Sequence, residues 1–528
     1  MRPRRGRLGL LCVLLLLAGA APARAGLLEI LEPDAPERPS RGPTYENPVA
    51  AGDYPDPSVI RAPGGGWLAA VTSDGWMPPF SILYSPDLVS WRVVGSILRR
   101  RPPWVRQHFW APEIVHRGSR YLVYYAARHK RGRFCVGVAW ARQAIGPFDD
   151  EGPVVCQRRG AIDPLPVLDE AGRPNLVWKE DGNSVGKPTP IMAAPLTPDG
   201  FELAGPSREL FRNDAAWEGR IVEAPTVTRH EGRFYMLYSA GRCCGPDCNY
   251  TTGVARSERL YGRWEKHAGP ILSGNSGFRC PGHGSVVGGP WGREYFVYHA
   301  YSAREPVIVG RQLLVDRLEW GPSGWPSVNG GQGPSRSAVS PLYHRQAARR
   351  PLVFDEFSGS FLDPAWQWPA PRTRLRLDSR RGGRLLVRAG RSPGMAGRQP
   401  PAANYAAEAV VGRRSRRARP GLAVRTARAR EVGIELRGGR VVAWRSRGRR
   451  TRRLASRPAP RGSRQTLRVE VSDGRHFTFS VLAAGRWRTI GPVAYRPPFR
   501  LATPRVVVRV GGARRSIAAF ERFRMAGS

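Results

Sequence analysis

Apolar strands recur along the first two thirds of the chain at a fixed long interval. Five segments place a polar or glycine-rich turn before an aromatic-rich apolar run: GGGWLAAVTSD (64–74), GSRYLVYYAAR (118–128), GRPNLVWKED (172–181), EGRFYMLYSAG (231–241) and GREYFVYHAYS (292–302). Successive segments begin about 55 to 60 residues apart. A period of that length predicts a repeat architecture in which each unit is one small sheet.

A shorter apolar run precedes each of these segments and begins with a polar residue. The polar residues are Asp56, Glu113, Asp163, Glu223 and His283. Short strands grouped at a long period are typical of a β-propeller, whose sheets bury their faces against their neighbours. Since the first strand of each blade lines the central channel, we expect the five polar residues to converge at its mouth. An array of β-sandwiches, the alternative, does not explain a polar residue at the head of every unit.

The fold predicted from this pattern is all-β. A five-bladed β-propeller is expected over residues 45–340, after a Pro- and Glu-rich linker at 26–44. From residue 352 to 528, segments such as QTLRVEVSDGRHFTFSVL alternate apolar and polar positions between Gly and Asp turns. This alternation predicts a C-terminal antiparallel β-sandwich.

The first 25 residues read MRPRRGRLGLLCVLLLLAGAAPARA, with a basic flank, a short apolar run and a small-x-small site. This order predicts a cleaved signal peptide at 1–25 and a secreted or periplasmic protein. An uncleaved anchor is the alternative, but the apolar run is short for a bilayer span. No membrane association is expected after cleavage, and the sequence does not indicate an oligomeric state.

Six cysteines remain after the predicted cleavage, namely Cys135, Cys156, Cys243, Cys244, Cys248 and Cys280. An even count in an exported chain favours disulfides, although the pairing cannot be deduced from the sequence. The cluster CCGPDC could instead bind a metal ion, but it lacks the paired CxxC spacing of such sites.

The formal net charge is +42, and 80 of the 84 basic residues are arginine. The densest basic runs lie in the C-terminal third, where they are typical of solvated strand faces and loops. We therefore expect no specific nucleic-acid binding, which would place basic patches among exposed aromatic residues. Loose attraction to acidic polymers, such as polysaccharides that bear uronic acids, is expected instead.

Convergent carboxylates in a channel favour glycoside hydrolysis. One carboxyl group protonates the leaving oxygen while another activates water or attacks the sugar, and a third tunes or orients the acid. An Asp before Pro more often caps a turn. Recurrence of a polar head in every unit argues against that simpler interpretation.

Five stretches, NPVAAGDYPDPSVIR, FWAPEIV, IDPLPVLDEAGRPNLVWKEDG, EAPTVTRHEGRFYMLYSAG and PGHGSVVG, together resemble glycoside hydrolase family 43. The resemblance implies five-bladed propellers that cleave β-xylosides, arabinofuranosides or α-1,5-arabinan with inversion. The region that opens with FDEFSGSFLDPAWQW resembles the concanavalin A-like domain of β-xylosidase-type members. The sequence departs from the family pattern in two places, with EAP for the commoner EGP and WAPE for the commoner WAPD.

The resemblance implies a role for each matching residue. It implies that Asp56 is the general base, Glu223 the general acid and Asp163 the residue that tunes and orients that acid. It also implies that Arg311, in VGRQLL, binds sugar hydroxyls and that His283 is the axial histidine that binds a calcium ion or a water cluster in some relatives. No cofactor is expected to be required.

Trp110, in FWAPE, is a candidate for stacking on the sugar, with packing in the channel wall as the alternative. The function predicted overall is that of a secreted, inverting exo-glycosidase, either a β-xylosidase or an α-L-arabinofuranosidase. An endo-1,5-α-L-arabinanase is the alternative within the class, and a non-catalytic carbohydrate-binding propeller is the alternative outside it. We expect the sandwich to buttress the site rather than to bind polysaccharide.

Overall fold

The computed structural model describes residues 42–342, 346, 352–369, 373–378, 382–427, 429–448, 450–490 and 503–527. The predicted signal peptide at 1–25 and nearly all of the predicted linker at 26–44 lie outside these residues. In the part of the chain that is described, no helix is both long and apolar enough to cross a membrane.

Five four-stranded antiparallel sheets follow one another along the chain, and we call them blades 1 to 5. In each blade the strands lie side by side in chain order, as in a propeller. Their bounds are Ser58–Arg61, Trp67–Ala70, Ser81–Ser85 and Arg92–Ser96 in blade 1; Val105–Arg117, Arg120–His129, Phe134–Ala141 and Asp149–Val155 in blade 2; Ala161–Leu168, Pro174–Glu180, Ile191–Pro195 and Arg208–Phe211 in blade 3; Val222–His230, Arg233–Ala240, Thr251–Ser257 and Glu265–Lys266 in blade 4; and Phe278–Gly288, Glu294–Ser302, Gln312–Trp320 and Pro326–Val328 in blade 5. The described helices are single 3₁₀ turns at Gly182–Val185, Ala216–Glu218, Pro290–Gly292, Val307–Val309 and Asn329–Gly331.

Apolar cores lie between neighbouring blades and join them into a ring. Separate clusters of buried side chains span the junctions of blades 1 and 2, 2 and 3, 3 and 4, and 4 and 5. A further cluster joins blade 5 to blade 1, where Val297 and Leu313 pack with Val59 and Trp67. The ring closes because aromatic and β-branched residues recur in the second strand of each blade, where they pack against the neighbouring blades.

The two ends of the propeller are held together beside blade 5. The strand Thr44–Glu46 pairs antiparallel with Ser337–Val339. The Asn47 side chain adds hydrogen bonds to the Val315 and Ser335 carbonyl oxygens, at 2.9 and 3.1 Å. The chain before blade 1 is thereby fixed to the chain after blade 5.

The C-terminal region forms two antiparallel sheets around one apolar core. The first contains Leu352–Asp355, Arg374–Leu377, Leu385–Arg388, Tyr405–Arg413, Arg464–Ser472, His476–Ala483, Arg486–Thr489 and Ile517–Gly527, and the second contains Gly394–Arg398, Ala418–Arg425, Arg430–Arg437, Arg440–Arg447, Arg450–Pro458 and Arg505–Gly512. A short pair, Trp368–Pro369 with Trp76–Met77, ties this region to blade 1. The predicted fold class, a five-bladed propeller followed by an antiparallel β-sandwich, is confirmed.

Candidate active site

Every blade has a residue with a positive φ at the same place in the repeat, within its first strand or, in blade 1, just before that strand. These residues are Asp56, Ala111, Asp163, Ala224 and His283, with φ between 45° and 56°. In blades 2 to 5 the pairing with the second strand slips at this point, which marks a β-bulge. A bulge turns the local side chains away from strict alternation and is common beside active sites. The repeated bulge therefore marks one end of the channel.

The bulge corrects the predicted equivalence of the five polar heads. Asp56, Asp163 and His283 occupy the bulge position itself, whereas Glu223 lies one residue before it. Glu113 lies two residues after the bulge and is the residue that is furthest out of phase. Its burial raises the pKa of its carboxyl group to about 8, although a hydrogen bond with Ser58 opposes the rise. Glu113 is thus a neutral acid at pH 7 and does not share the setting of the other four.

We expect the Glu113→Gln variant to keep its activity and to gain stability at neutral pH. A carboxyl group whose folded pKa exceeds its unfolded value destabilises the native state as the pH rises between the two, here from about 4.5 to about 8. Glutamine removes this penalty, on the order of 3 kcal/mol at pH 7. Urea unfolding at pH 4 and pH 7 measures the free energy of unfolding, which should rise in the variant at pH 7 only. An equal gain at both pH values would contradict the expectation.

A second ring of residues lies opposite the bulges, on the second strands. Its members, fixed by the strand register, are Thr72, Ala126, Lys179, Ser239 and His299. Three of them accept a hydrogen bond from the bulge residue of the following blade: Thr72 from the Ala111 N–H at 2.7 Å, Ser239 from the His283 N–H at 2.9 Å and His299 from the Asp56 N–H at 3.2 Å. The sequence interpretation missed this ring, whose signal in blades 3, 4 and 5 was a polar residue within the apolar second strand, namely Lys179, Ser239 and His299.

Asp56 is a buried carboxylate that is paired with Arg311. Arg311 donates to both of its oxygens, at 2.7 and 3.4 Å, and the Nδ1 atoms of His283 and His299 lie 3.4 and 3.3 Å from Oδ1. Burial alone would raise the pKa of Asp56, but the charge of Arg311 outweighs it, so the pKa lies well below its ordinary value. Asp56 therefore stays ionised. Burial and the Arg311 charge hold the pKa of His299 well below its ordinary value, so that its ring is neutral.

Glu223 is held by a lysine and a tyrosine. Lys179 Nζ lies 2.7 Å from Oε2, and the Tyr250 hydroxyl donates to Oε1 at 2.9 Å. Lys179 is 1% exposed and also lies 3.5 Å from Asp181. Burial lowers the pKa of this lysine, but the charges of Glu223, Asp163 and Asp181 outweigh burial, and the pKa lies above its ordinary value. Lys179 therefore keeps its charge. The sequence interpretation named neither Lys179 nor Tyr250.

Asp163 lies between these two clusters. Its Oδ2 accepts a hydrogen bond from the Ala224 N–H at 2.9 Å, next to Glu223. Burial raises the pKa of Asp163 to about 6, the charges of Glu223 and Asp56 raise it, and His283 and Lys179 oppose the rise. Because Asp163 interacts with groups of both clusters, Asp56, Asp163, Glu223, His283 and Arg311 surround one site at the channel mouth.

Trp110 lies at the blade 2 side of this site. Its Nε1 donates to Asp74 Oδ1 at 3.1 Å, and its ring stacks on Phe134 with the centroids 4.2 Å apart. Phe134 also packs against Ile162, the residue before Asp163. The indole is therefore fixed in place beside the acids, and its predicted contact with sugar stays a prediction.

The six cysteines form three disulfides, Cys135–Cys156, Cys243–Cys244 and Cys248–Cys280. The disulfide prediction is confirmed, and the sulfur atoms of CCGPDC are bonded to each other or to Cys280 instead of being thiolates available to a metal. Cys243 and Cys248 pack against a cluster that includes Tyr250, the hydroxyl donor to Glu223. These disulfides fix the loop that carries that tyrosine.

The calcium ion that the resemblance implies at His283 does not fit the residues around it well. In the described ranges no group of three or more His, Cys, Asp or Glu side chains is placed to hold a metal ion. Calcium prefers several oxygen ligands, and the carboxylate nearest to His283, Asp56, is already paired with Arg311. No metal is therefore assigned a role at this site, and calcium stays a prediction.

The sandwich reaches the end of the channel that carries the candidate site through Asp53. Gln399 accepts from the Asp53 N–H at 2.7 Å and donates to its carbonyl oxygen at 2.9 Å, and Thr503 donates to its Oδ2 at 2.8 Å. Asp53 Oδ1 in turn accepts from the Arg311 N–H at 3.3 Å. The sandwich thus holds the segment before Asp56 and the backbone of Arg311.

We expect the Gln399→Ala variant to fold but to lose about 10-fold in kcat, because small displacements of catalytic groups are costly. The matched control is Gln465→Ala, since the Gln465 side chain donates to the nearby Pro460 and Gly462 carbonyl oxygens within the sandwich. Steady-state kinetics of both variants check this expectation. An equal loss in the two variants would contradict it.

Residues 45–326 match the family model described as Glycosyl hydrolases family 43. The match covers blades 1 to 4, blade 5 as far as the first residue of its last strand, and every residue of the candidate site. The chain belongs to glycosyl hydrolase family 43. The resemblance inferred from the sequence motifs is thereby confirmed.

Among curated family 43 relatives, the xylosidase/arabinosidase 43B of Humicola insolens is 28% identical over 315 residues, which are 56% of this chain and 56% of the relative. The extracellular exo-α-(1→5)-L-arabinofuranosidase of Cellvibrio japonicus is 28% identical over 52% of this chain and 86% of its own length. This chain therefore spans about half the length of the first relative. The solved BlXynB protein of Bacillus licheniformis has the same fold over 92% of this chain and 100% of its own, with a TM-score of 0.77 and 20% identity.

Proposed function

We propose that this family 43 protein is a secreted exo-glycosidase that hydrolyses plant-type β-xylosides or α-L-arabinofuranosides with inversion. The observation that carries the proposal is the pair of carboxyl groups at one channel mouth, set in contrasting surroundings. Asp56 is held as a carboxylate by Arg311, while Glu223 lies between Lys179 and the Tyr250 hydroxyl. Two carboxyl groups with separate roles are what glycoside hydrolysis requires.

In the proposed reaction a water molecule attacks the anomeric carbon of the terminal sugar. Asp56 takes the proton from that water, while Glu223 gives its proton to the glycosidic oxygen as the bond to the leaving sugar breaks. Asp163 positions the acid because it holds the Ala224 N–H next to Glu223. Arg311 orients the base and, with His283, faces the bound sugar.

The first relatives support both sugars, since one is named a xylosidase/arabinosidase and another an exo-arabinofuranosidase. The second is also named extracellular, which together with the N-terminal apolar run supports secretion of this protein. The contacts of Gln399 and Thr503 with Asp53 support a buttressing role for the sandwich. We assign it the concanavalin A-like type on the resemblance of its first residues.

Hydrolysis of three substrates tests the proposal: 4-nitrophenyl β-xyloside, 4-nitrophenyl α-arabinofuranoside and debranched arabinan. The purified chain should release nitrophenol from at least one glycoside. The Glu223→Ala variant should lose the hydrolysis of unactivated substrates, whose leaving group is a sugar. Activity on arabinan alone would replace the exo assignment by endo-arabinanase. A folded protein that binds but cleaves none of the three would support a carbohydrate-binding propeller.

A further inference from the structure

A cavity of about 640 Å³ lies between blades 1 and 2. It is lined by Arg101, Arg106, Arg128, His108 and Asp74, and the sandwich contributes Ala427. The volume is within the range of cavities that hold small organic ligands, such as a single sugar. None of the roles assigned above uses its arginines.

The strand register places this cavity at the rim of the candidate active site. Arg128 lies two residues after Ala126 of the second ring, as Asp181 lies two residues after Lys179. Since Asp181 is 3.5 Å from Lys179, this level of the repeat lies immediately next to the site. Trp110 joins the two regions, because its Nε1 donates to Asp74 and its ring stacks on Phe134 beside Asp163.

The cavity carries an excess of positive charge. Arg101 donates to the Arg106 carbonyl oxygen at 3.1 Å and Arg128 to the Gly132 carbonyl oxygen at 2.8 Å, so these contacts are with neutral groups. Within the described ranges, none of the three guanidinium groups is paired with a carboxylate. Among the described residues that line the cavity, the one acid is Asp74, which is bound by His108 and Trp110. Three arginine residues therefore line one cavity, and none of them forms an ion pair with a carboxylate of the described residues.

We propose that this cavity binds the carboxylate of a uronic acid carried by the substrate near the bond that is cleaved. Guanidinium groups bind carboxylates through paired, planar hydrogen bonds, which lysine cannot match. The ring of Trp110 at the border offers an apolar face to the adjacent sugar. The inference rests on the proposed function and refines it: the preferred substrates are acidic, such as glucuronic acid-substituted xylo-oligosaccharides, rather than neutral ones.

Calorimetric binding of two oligosaccharides tests the inference without depending on turnover. The probes are xylotetraose and the same tetramer with one glucuronic acid branch, each titrated at low and high salt into the full chain with Asp56→Asn. The acidic probe should bind at least 10-fold more tightly at low salt. The double variant Arg101→Gln/Arg106→Gln should lose that preference and keep its affinity for xylotetraose.

The matched control is Arg437→Gln/Arg488→Gln, which removes the same charge from exposed positions of the sandwich. It should keep the preference for the acidic probe. The inference would be overturned if the Asp56→Asn chain with its arginines intact bound both probes with equal affinity. It would also be overturned if the preference for the acidic probe survived in the Arg101→Gln/Arg106→Gln variant. A sulfated xylotetraose that binds as tightly as the uronate would also overturn it, because it would show general polyanion binding. Absence of glycoside turnover with the uronate preference intact would refute the proposed function and leave the uronate site standing.

Discussion

Replacing Asp56 by asparagine should lower kcat by 10²- to 10⁴-fold, the usual contribution of a general base. Asparagine keeps the size of the side chain and an acceptor for Arg311, but it cannot take a proton from water. Since Asp56 stabilises the fold as an ion through its lowered pKa, this stability is present above the unfolded pKa of about 3.8 and is lost only in strong acid. The variant leaves the buried Arg311 without its ion partner, so its Tm should be lower at pH 7 while the far-UV circular dichroism stays unchanged.

Glu113→Gln is the matched control for Asp56→Asn, because it makes the same carboxyl-to-amide change in a blade whose bulge residue is Ala111. It should retain near-normal kcat. If Asp56→Asn turned over substrate at a near-normal rate, the assignment of the base would be wrong. If both variants lost activity equally, the loss would reflect damage to the channel and not removal of a base.

The Glu223→Gln variant should show a loss that depends on the leaving group. An acid is needed most when the leaving oxygen is a poor leaving group, so hydrolysis of xylobiose or arabinobiose should fall by 10²- to 10⁴-fold. Hydrolysis of a 2,4-dinitrophenyl glycoside should fall much less, because that phenolate leaves without protonation. Kinetics with 2,4-dinitrophenyl, 4-nitrophenyl and disaccharide substrates measure the trend.

The dinitrophenyl substrate serves as the internal control for folding and sugar binding in Glu223→Gln. A uniform loss over all leaving groups would contradict the role of Glu223 as the acid. The activity of the Tyr250→Phe variant should lie between that of the wild-type protein and that of Glu223→Gln. The substitution removes one hydrogen bond to Oε1 and leaves Lys179 in contact with Oε2.

The fold could be predicted from the sequence because its determinants are local and repeated. Each blade carries the same order of turn and aromatic-rich strand, and a chain that repeats such a unit five times can bury the sheets only against each other. The alternation of apolar and polar residues after position 352 likewise suffices to predict a sandwich. Asp56, Asp163 and His283, three of the five predicted polar heads, share one position in the repeat because each heads the short apolar run of its unit.

The remainder of the site depends on backbone details that spacing does not reveal. A β-bulge changes the phase of a strand by one residue, so Glu113 and Glu223 could be equated with Asp56 in the sequence although they lie on either side of the bulge. Lys179 was hidden in a second strand, directly after the apolar run LVW at 176–178. Gln399 contacts Asp53 across 346 positions of the chain, a pairing that no local pattern indicates.

The measurement that tests the central claim most directly is the configuration of the first sugar released. Proton NMR during hydrolysis of the xyloside or the arabinofuranoside resolves the two anomers before mutarotation mixes them. A base that activates water at Asp56 and an acid at Glu223 require inversion, so α-xylose from the β-xyloside, or β-arabinose from the α-arabinofuranoside, should appear first. First release of the retained anomer would show that a carboxylate attacks the sugar itself, and this account of the site would then be wrong.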